Sequence, residues 1–473
     1  MNYKNCILEL IEQFSSPHNT GTAFELYDGH QIVHVPYQKF AKDILCSVRF
    51  FQDHQIENTH IALIGDNSYE WIVSFLAIAA TGNAAVLINP LLPPDLVLRQ
   101  CRMADVSLIC CHDQHAASLA DFFPYYPYSE LLKNQLFPVS NLPRPHHTAT
   151  VVMMFTSGTT GEGKIVELSY QNIASSIRSA DQVFSEPGIE KIMSVLPMFH
   201  IAGLRGTLAM LYRNKTICIG RGAKYLFQDL PALSPSYVLL VPMIADSLVK
   251  LLQRTTTPQK YLGSSLKRIC LGGAAPNPSV CRYMLDLGFT LDGGYAMTET
   301  SGVGTWGQWD DQHFNTIGKL SSELQCRIED GELLFKGPSV MKGYYKDPDA
   351  TAKVLKDGWF HSGDLGFCDE DGYYYITGRK KNVIVMSNGE KINPEETEHY
   401  LMTCDAILEC IVTYRNGALC LDVYAKDTET AKAFLERYHA NMPTAFHFQK
   451  ISFLSEPFRK NSTGKIIREE PLS

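Results

Sequence analysis

Up to about residue 300, short apolar runs of strand length alternate with segments of helical character. Residues 61–66 predict a buried strand, residues 69–80 a helix and residues 84–88 a second strand. Further strands are predicted at 106–110, 151–155, 192–196, 237–241 and 266–271. This alternation predicts layered α/β structure with largely parallel sheets, in which ligands bind beyond the carboxyl ends of the strands.

The pattern changes after about residue 325. Residues 327–335 predict a hairpin that turns at Asp330 and Gly331, and a compact basic stretch follows at 379–381. Beyond it, helices are predicted at 394–402 and 428–440, and strands at 408–414 and 419–425. We therefore predict a large N-terminal domain over residues 1–379 and a small α+β C-terminal domain over residues 380–473.

Composition limits the class of protein. The chain has 473 residues and a net charge of −8, so no basic face is indicated and nucleic acid is not an expected partner. Thirteen cysteines without a C-x-x-C pair favour free thiols in a reducing compartment. The most apolar stretch, 71–88, is interrupted by Ser74, Thr81 and Asn83 and predicts no membrane span. We expect no signal peptide, no membrane partner and a cytoplasmic location.

A polar, glycine-rich loop follows the strand predicted at 151–155. It reads Thr156-Ser157-Gly158-Thr159-Thr160-Gly161-Glu162-Gly163-Lys164. Glycines let backbone N–H groups converge on an anion, and hydroxyls and an ammonium add donors, so the loop predicts phosphate binding. Residues 158–164 match the start of a Walker A motif, but Ile165 stands where that motif needs Ser or Thr to hold magnesium. The reading as a P-loop NTPase fails there, and a plain flexible turn is the alternative.

The loop resembles the phosphate loop of the adenylate-forming superfamily, which contains acyl-CoA synthetases, firefly luciferase and nonribosomal adenylation domains. Gly163 stands where that family usually has Pro, and we expect it to loosen the loop. Five further stretches resemble the family's motifs in the family's order, so that the resemblance spans about residues 60–468. They are Gly272-Gly273-Ala274-Ala275-Pro276, Gly294-Tyr295-Ala296-Met297-Thr298-Glu299-Thr300, Trp359-Phe360-His361-Ser362-Gly363-Asp364, Gly378-Arg379 and Asn461-Ser462-Thr463-Gly464-Lys465.

The resemblance implies a set of nucleotide-binding residues. The loop would cradle the β- and γ-phosphates, the turn at 272–276 and Tyr295 would border the adenine, and Asp364 and Arg379 would contact the ribose. The implied set comprises Thr156, Ser157, Gly158, Thr159, Thr160, Gly161, Lys164, Gly273, Ala274, Ala275, Pro276, Gly294, Tyr295, Asp364 and Arg379.

The implied reaction has two halves. A small carboxylic acid attacks the α-phosphorus of ATP to give acyl-AMP and pyrophosphate, and the thiol of coenzyme A then attacks the acyl carbon. Thr298 would touch the α-phosphate, Glu299 would hold Mg²⁺, and Lys465 would bridge the carboxylate and the phosphate. ATP, Mg²⁺ and coenzyme A are thus the expected cofactors. The alternatives are a standalone ligase that loads a carrier protein's phosphopantetheine, and a regulatory protein that binds ATP without turnover.

The resemblance also implies a fold and a motion. The large domain would contain layered α/β subdomains and a β-barrel-like part, and the small domain would be mobile. Rotation at a hinge, which we place at Lys381, would withdraw Lys465 and present residues 388–391. Gly389 would leave room there for a pantetheine arm.

The acid is constrained less closely. Residues 196–203 resemble the motif that forms one wall of the acyl pocket, and their sequence is most similar to that of o-succinylbenzoate-CoA ligases. We place His200 among the catalytic residues as the steric gate of that pocket. Arg205 follows and could meet a second carboxylate, although we expect a surface arginine. The segment 411–423 is shorter than in the family, which makes adenylation a firmer expectation than CoA transfer.

We predict that Lys465→Ala lowers adenylation about a hundredfold or more, because one well-aimed donor in a transition state contributes roughly 3 to 4 kcal/mol. Acid-dependent exchange of labelled pyrophosphate into ATP measures this step. Unchanged exchange in the variant would contradict the role of Lys465.

Overall fold

A computed structural model describes residues 6–116, 119–156, 163–184, 186–273, 276–310, 313, 316–386, 391–415, 417–460 and 466–468. The helices are α1 Cys6–Phe14, α2 Tyr37–Asp53, α3 Tyr69–Ala80, α4 Pro94–Met103, α5 Asp113–Ala116, α6 Tyr128–Leu131, α7 Tyr170–Ser179, α8 Asp181–Phe184, α9 Ile201–Tyr212, α10 Leu226–Leu233, α11 Pro242–Leu252, α12 Gln259–Leu262, α13 Pro278–Asp286, α14 Pro348–Val354, α15 Pro394–Leu401 and α16 Thr428–Asn441.

Strands also lie within the described residues. They are β1 Thr22–Tyr27, β2 Ile32–Pro36, β3 His60–Ile64, β4 Ala84–Ile88, β5 Leu108–Cys111, β6 Tyr125–Pro127, β7 Thr150–Phe155, β8 Ile165–Ser169, β9 Lys191–Ser194, β10 Thr216–Ile219, β11 Tyr237–Leu240, β12 Arg268–Leu271, β13 Thr290–Ala296, β14 Gly304–Trp309, β15 Gly318–Leu320, β16 Gln325–Glu329, β17 Glu332–Lys336, β18 Gly343–Tyr344, β19 Leu355–Lys356, β20 Trp359–Cys368, β21 Tyr373–Arg379, β22 Ile384–Val385, β23 Lys391–Ile392, β24 Ile407–Arg415, β25 Ala418–Ala425 and β26 Lys450–Phe453.

The first sheet has the order β18-β8-β7-β4-β3-β5-β6. Its strands from β7 to β6 are parallel, whereas β8 and β18 join the other edge in antiparallel pairing. All five residues of β4 are buried, as expected for a strand that is covered on both faces. The predictions at 69–80 and 84–88 are confirmed, and the strand predicted at 61–66 is present as β3 but ends at Ile64.

The second sheet combines a parallel and an antiparallel part. Its order is β16-β17-β20-β21-β15-β14-β13-β12-β11-β9-β10-β1-β2, with β19 beside β20. The strands from β13 to β1 are parallel, and those from β14 to β16 are antiparallel. This antiparallel part is continuous with the parallel strands in one open strand order, and the expected β-barrel-like region stays a prediction. The mixed α/β fold is confirmed.

The main hydrophobic core lies between the two sheets. Alternate strand residues face opposite sides, and Leu63 of the first sheet and Ile192 of the second belong to the same core as the apolar faces of α1, α2, α3, α7 and α9. The outer faces form separate cores, with Ile64 packing beside α4 and Val238 beside α10, α11 and α13. The helices between the sheets include α9, which carries residues of the predicted acyl pocket.

The residues beyond Arg379 have a core of their own. Leu401 of α15, Val412 of β24, Leu421 of β25 and Leu435 of α16 belong to it. Strands β24 and β25 form a tight hairpin in which Arg415 pairs with Ala418, so the short 411–423 segment turns back at once, as predicted. The boundary at 379/380 stays a prediction. Within the described residues, no helix is long and apolar enough to cross a bilayer.

Candidate active site

The predicted phosphate loop lies between two antiparallel strands. Phe155 of β7 pairs with Ile165 of β8, the Thr156 amide donates to the Lys164 carbonyl at 2.9 Å, and the Lys164 amide donates to Thr156 Oγ1 at 3.1 Å. A Walker A loop instead leads from a strand into a helix, so the rejection of a P-loop NTPase is supported by the topology. Ser157, Gly158, Thr159, Thr160 and Gly161 lie outside the described residues.

Gly163 closes the base of this loop. A Cβ atom at Gly163 would lie 2.3 Å from the carbonyl oxygen of Thr156, a distance that no real Cβ contact has. The glycine therefore allows the two ends of the loop to approach each other. We expected Gly163 to loosen the loop, whereas the structure gives it a close contact at the closing pair.

Tyr344 connects the phosphate loop to Glu299. It lies on the two-residue strand β18, in which Tyr344 pairs with Val166 of β8. Its hydroxyl donates to Glu299 Oε1 at 2.9 Å, and the Lys164 ammonium lies 4.5 Å from the centre of its ring. A cation over an aromatic face is attracted by the ring. One side chain thus contacts both the loop lysine and the carboxylate that sequence analysis assigned to Mg²⁺.

Glu299 lies in a short 3₁₀ turn, Thr298–Thr300, that follows β13. It is only 8% exposed, and its backbone carbonyl accepts from the Met341 amide at 2.8 Å. Its Oε2 atom accepts no hydrogen bond from the part of the chain that the structure describes. The carboxylate is therefore held by one oxygen, and the other oxygen is available to a ligand. Thr298, the predicted α-phosphate contact, is half-buried at the start of the same turn.

Tyr295, which the resemblance assigned to the adenine, contacts Asp364, which it assigned to the ribose together with Arg379. The Tyr295 hydroxyl donates to Asp364 Oδ2 at 2.5 Å, and Arg379 Nε lies 2.7 Å from Asp364 Oδ1. Burial and the neighbouring carboxylate raise the pKa of Tyr295 well above its usual range, so that the hydroxyl keeps its proton. The Tyr295 ring stacks on Phe335, with centroids 6.0 Å apart. A polar cluster therefore stands where a ribose would be expected.

The predicted adenine turn begins at the carboxyl end of β12. The Gly272 amide continues the ladder by donating to the Leu240 carbonyl at 3.1 Å, and Gly273 has φ +89°. Glycine adopts that left-handed conformation without strain. Gly294 and Pro276 are both half-buried near this end of the sheet, whereas Ala274 and Ala275 lie outside the described residues.

His200 caps the start of α9 and packs against Phe199, with ring centroids 4.5 Å apart. Burial lowers the pKa of its imidazole to about 4, so the ring is neutral at pH 7. Its Nε2 atom is buried and has no hydrogen-bond partner among the described residues. A neutral ring with an unused nitrogen fits a pocket wall better than an acid or base at pH 7.

Lys465 and Gly389 lie outside the described residues, and their roles stay predictions. The chain on both sides of 461–465 is anchored. Lys460 pairs with Ile466 in a β-bridge and forms a 2.6 Å ion pair with Glu409, and Arg468 is paired with Glu398.

Two contacts at the candidate site escaped the sequence analysis. One is Tyr344, described above. The other is Glu332, which accepts from the Gly363 amide at 2.9 Å and forms a 2.8 Å ion pair with Lys380, beside the expected hinge at Lys381. Both depend on pairing between residues far apart in the chain, for which local sequence carries no signal.

Comparison with known proteins assigns the class. The model of the family described as AMP-binding enzyme matches residues 19–345, more than half of the chain. The chain therefore belongs to the AMP-binding enzyme family, as the six ordered motifs indicated.

Similar proteins can be named more closely. The chain is 28% identical to the long-chain-fatty-acid–CoA ligase of Bacillus subtilis, over 91% of this chain and 88% of that protein. It is 27% identical to the 2-succinylbenzoate–CoA ligase of Bacillus thuringiensis, over 87% of each. Among solved structures, the O-succinylbenzoate coenzyme A synthetase of Bacillus subtilis in complex with ATP and magnesium ion has a TM-score of 0.83. That match is 22% identical and covers 97% of this chain and 98% of that chain, and it shows the shared fold.

Proposed function

We propose that the protein activates a carboxylic acid with ATP, releases pyrophosphate and transfers the acyl group to the thiol of coenzyme A. The observation that carries this proposal is the contact chain from Lys164 through Tyr344 to Glu299. It places a loop suited to phosphate beside a buried carboxylate suited to a divalent cation. The names of the related CoA ligases and the ATP and magnesium in a structure of the same fold support it.

The first half-reaction joins two anions. A carboxylate oxygen of the acid attacks the α-phosphorus, the bond to the pyrophosphate oxygen breaks, and acyl-AMP forms. Lys164 and the loop bind the β- and γ-phosphates, Thr298 donates to the α-phosphate, and Lys465 positions the attacking carboxylate. These donors compensate the repulsion between acid and triphosphate, which is the main electrostatic obstacle.

The residues present fit Mg²⁺. The ion takes oxygen ligands and is commonly bound by one or two carboxylates together with substrate phosphates. Glu299 supplies such a carboxylate through Oε2. In the described part of the chain, no group of three or more His, Cys, Asp or Glu residues could hold a metal by itself, which agrees with a site completed by phosphate. Bound there, the ion would neutralise triphosphate charge.

The second half-reaction needs access for a thiol. The thiol gives up its proton as the sulfur attacks the acyl carbon, the bond between that carbon and the AMP phosphate oxygen breaks, and AMP leaves as a dianion. We propose that the small domain turns about the 3₁₀ segment Lys380–Asn382 between the two steps, and that the Glu332–Lys380 ion pair lies at this hinge. Such motions commonly gate multistep enzymes.

Two finer points belong to the proposal. The β24–β25 hairpin is compact, because the 411–423 segment is shorter than in the family that the chain resembles. We therefore keep a carrier-protein phosphopantetheine as the second candidate acceptor. A cytoplasmic location fits the thirteen cysteines, none of which is paired in a disulfide, because a reducing compartment preserves thiols.

A panel of carboxylic acids tests the proposal. We expect at least one acid to drive exchange of labelled pyrophosphate into ATP, and AMP to be released when coenzyme A is added. AMP release only with a carrier protein in its holo form would favour the second acceptor. Tight ATP binding with no exchange for any acid would contradict the proposed enzyme activity.

Tyr344→Phe tests the link between the loop and Glu299. It keeps the ring under Lys164 but leaves Glu299 Oε1 without its donor, and a hydrogen bond to a charged group contributes about 1.5–3 kcal/mol. We expect affinity for ATP with magnesium, measured by calorimetry, to fall about tenfold to a hundredfold.

Tyr345→Phe is the matched control, because the Tyr345 hydroxyl donates to Asp105 at 2.5 Å on the surface, away from Glu299. Its nucleotide affinity should equal that of the unmodified protein. Equal affinities for the two variants would show that the Tyr344 hydroxyl has no part in nucleotide binding.

A further inference from the structure

Arg205 is a half-buried cation with no carboxylate partner among the described residues. Sequence analysis expected a surface arginine, whereas its side chain contacts α7 and the turn beyond Glu299, and desolvation lowers the pKa of its guanidinium to about 10. Within the described ranges it forms no ion pair with a carboxylate, and the ionisable groups that face it are the Cys270 thiol and the Tyr237 phenol. At pH 7 it remains charged.

Other arginines near this sheet are neutralised. Arg268 donates through Nη2 to Asp292 Oδ1 at 2.7 Å and is also paired with Glu186. Arg221 is paired with the buried Asp229 at 2.5 Å. Removing a charge from water is costly unless the charge is paired, and Arg205 differs from Arg268 and Arg221 because no described carboxylate pairs with it.

Arg205 forms few hydrogen bonds, and these leave some of its N–H donors without an acceptor among the described residues. Its Nε donates to the Ser176 carbonyl at 3.3 Å and Nη2 donates to Ser179 Oγ at 3.0 Å. A guanidinium has five N–H donors, and no described residue accepts from Nη1. The Tyr237 hydroxyl, buried beside Cys270, also has no nitrogen or oxygen partner among the described residues.

Arg205 lies directly behind the turn that carries Thr298 and Glu299. Ser176 Oγ donates to the Ser301 carbonyl at 2.6 Å, and Arg205 Cδ would lie 3.1 Å from a Cβ placed on Gly302. Gly302 has φ +75° and no side chain, which leaves room for the arginine stem. The helix that carries Arg205 also begins at His200, the predicted gate of the acyl pocket.

We propose that Arg205 binds a second carboxylate of the acyl substrate, at the end remote from the carboxylate that reacts, so that the enzyme selects dicarboxylic acids. This inference rests on the proposed function. The Arg205 guanidinium would donate through its unused N–H groups. A fatty acid with a plain apolar tail would leave those N–H groups without an acceptor.

The test compares straight-chain and aromatic dicarboxylic acids with their monomethyl esters, which keep one reactive carboxylate and nearly the same shape. The readout is acid-dependent pyrophosphate exchange. We expect kcat/KM to favour the diacid over its ester about tenfold to a hundredfold, the range given by a charged hydrogen bond.

Arg205→Met removes the charge and keeps the stem. We expect it to abolish this preference by lowering kcat/KM for the diacid alone, with KM for ATP unchanged, and Arg205→Lys to restore part of it. A diacid preference that survives in a folded Arg205→Met variant would overturn the proposal. So would equal use of diacid and ester by the unmodified enzyme, a result that needs no variant.

The two proposals fail differently. Exchange with monocarboxylic acids but no preference for diacids would refute the role of Arg205 and leave the ligase activity standing. Absence of exchange with every acid would refute the ligase activity itself.

Discussion

The hydrogen bond from Tyr344 to Glu299 joins parts of the molecule that otherwise belong to different sheets. Tyr344 extends the edge of the first sheet by pairing with Val166, whereas Glu299 follows β13 of the second. Each element alone would offer half of a nucleotide site, either a loop without a metal ligand or a carboxylate without a phosphate cradle. Because β18 is only two residues long, this junction depends on a few contacts, and the geometry of the proposed chemistry depends on the junction.

The distribution of charge follows the same logic. The proposed reaction brings a carboxylate to a triphosphate, so the protein must place cations where negative charges meet. Lys164 lies at the loop and Arg379 beside Asp364, and Lys465 would arrive from the small domain. Arg205 differs from these because it lies on α9 behind the Glu299 turn and has no carboxylate partner among the described residues. Such a charge would act on the identity of the acid rather than on its activation.

The sequence predicted the parts of this structure that local pattern determines. Strands such as β4 and helices such as α3 are apolar on all sides because the layers cover them, so their bounds were readable from hydrophobic runs. The motif residues Tyr295 and Asp364 are in contact, although the resemblance assigned them to different parts of the nucleotide, and their roles stay predictions.

The remaining features depend on contacts across long stretches of chain. Tyr344 and Glu299 are 45 positions apart, and Arg205 and Ser176 are 29 apart. The hydrophobic periodicity of the sequence does not indicate that a two-residue strand pairs with β8 or that an arginine on α9 faces inward. The close contact at Gly163 is similarly invisible, because it arises from a carbonyl seven positions earlier.

The central claim is that the bound acid attacks the α-phosphorus of ATP, and the fate of its oxygen atoms tests this most directly. A carboxylic acid that the enzyme uses would carry heavy oxygen in its carboxylate and be turned over with ATP, magnesium and coenzyme A. Mass spectrometry would then measure the masses of the products. The account predicts one heavy oxygen atom in AMP and none in pyrophosphate. Unlabelled AMP, or heavy oxygen in a phosphate derived from the β- or γ-position, would contradict it.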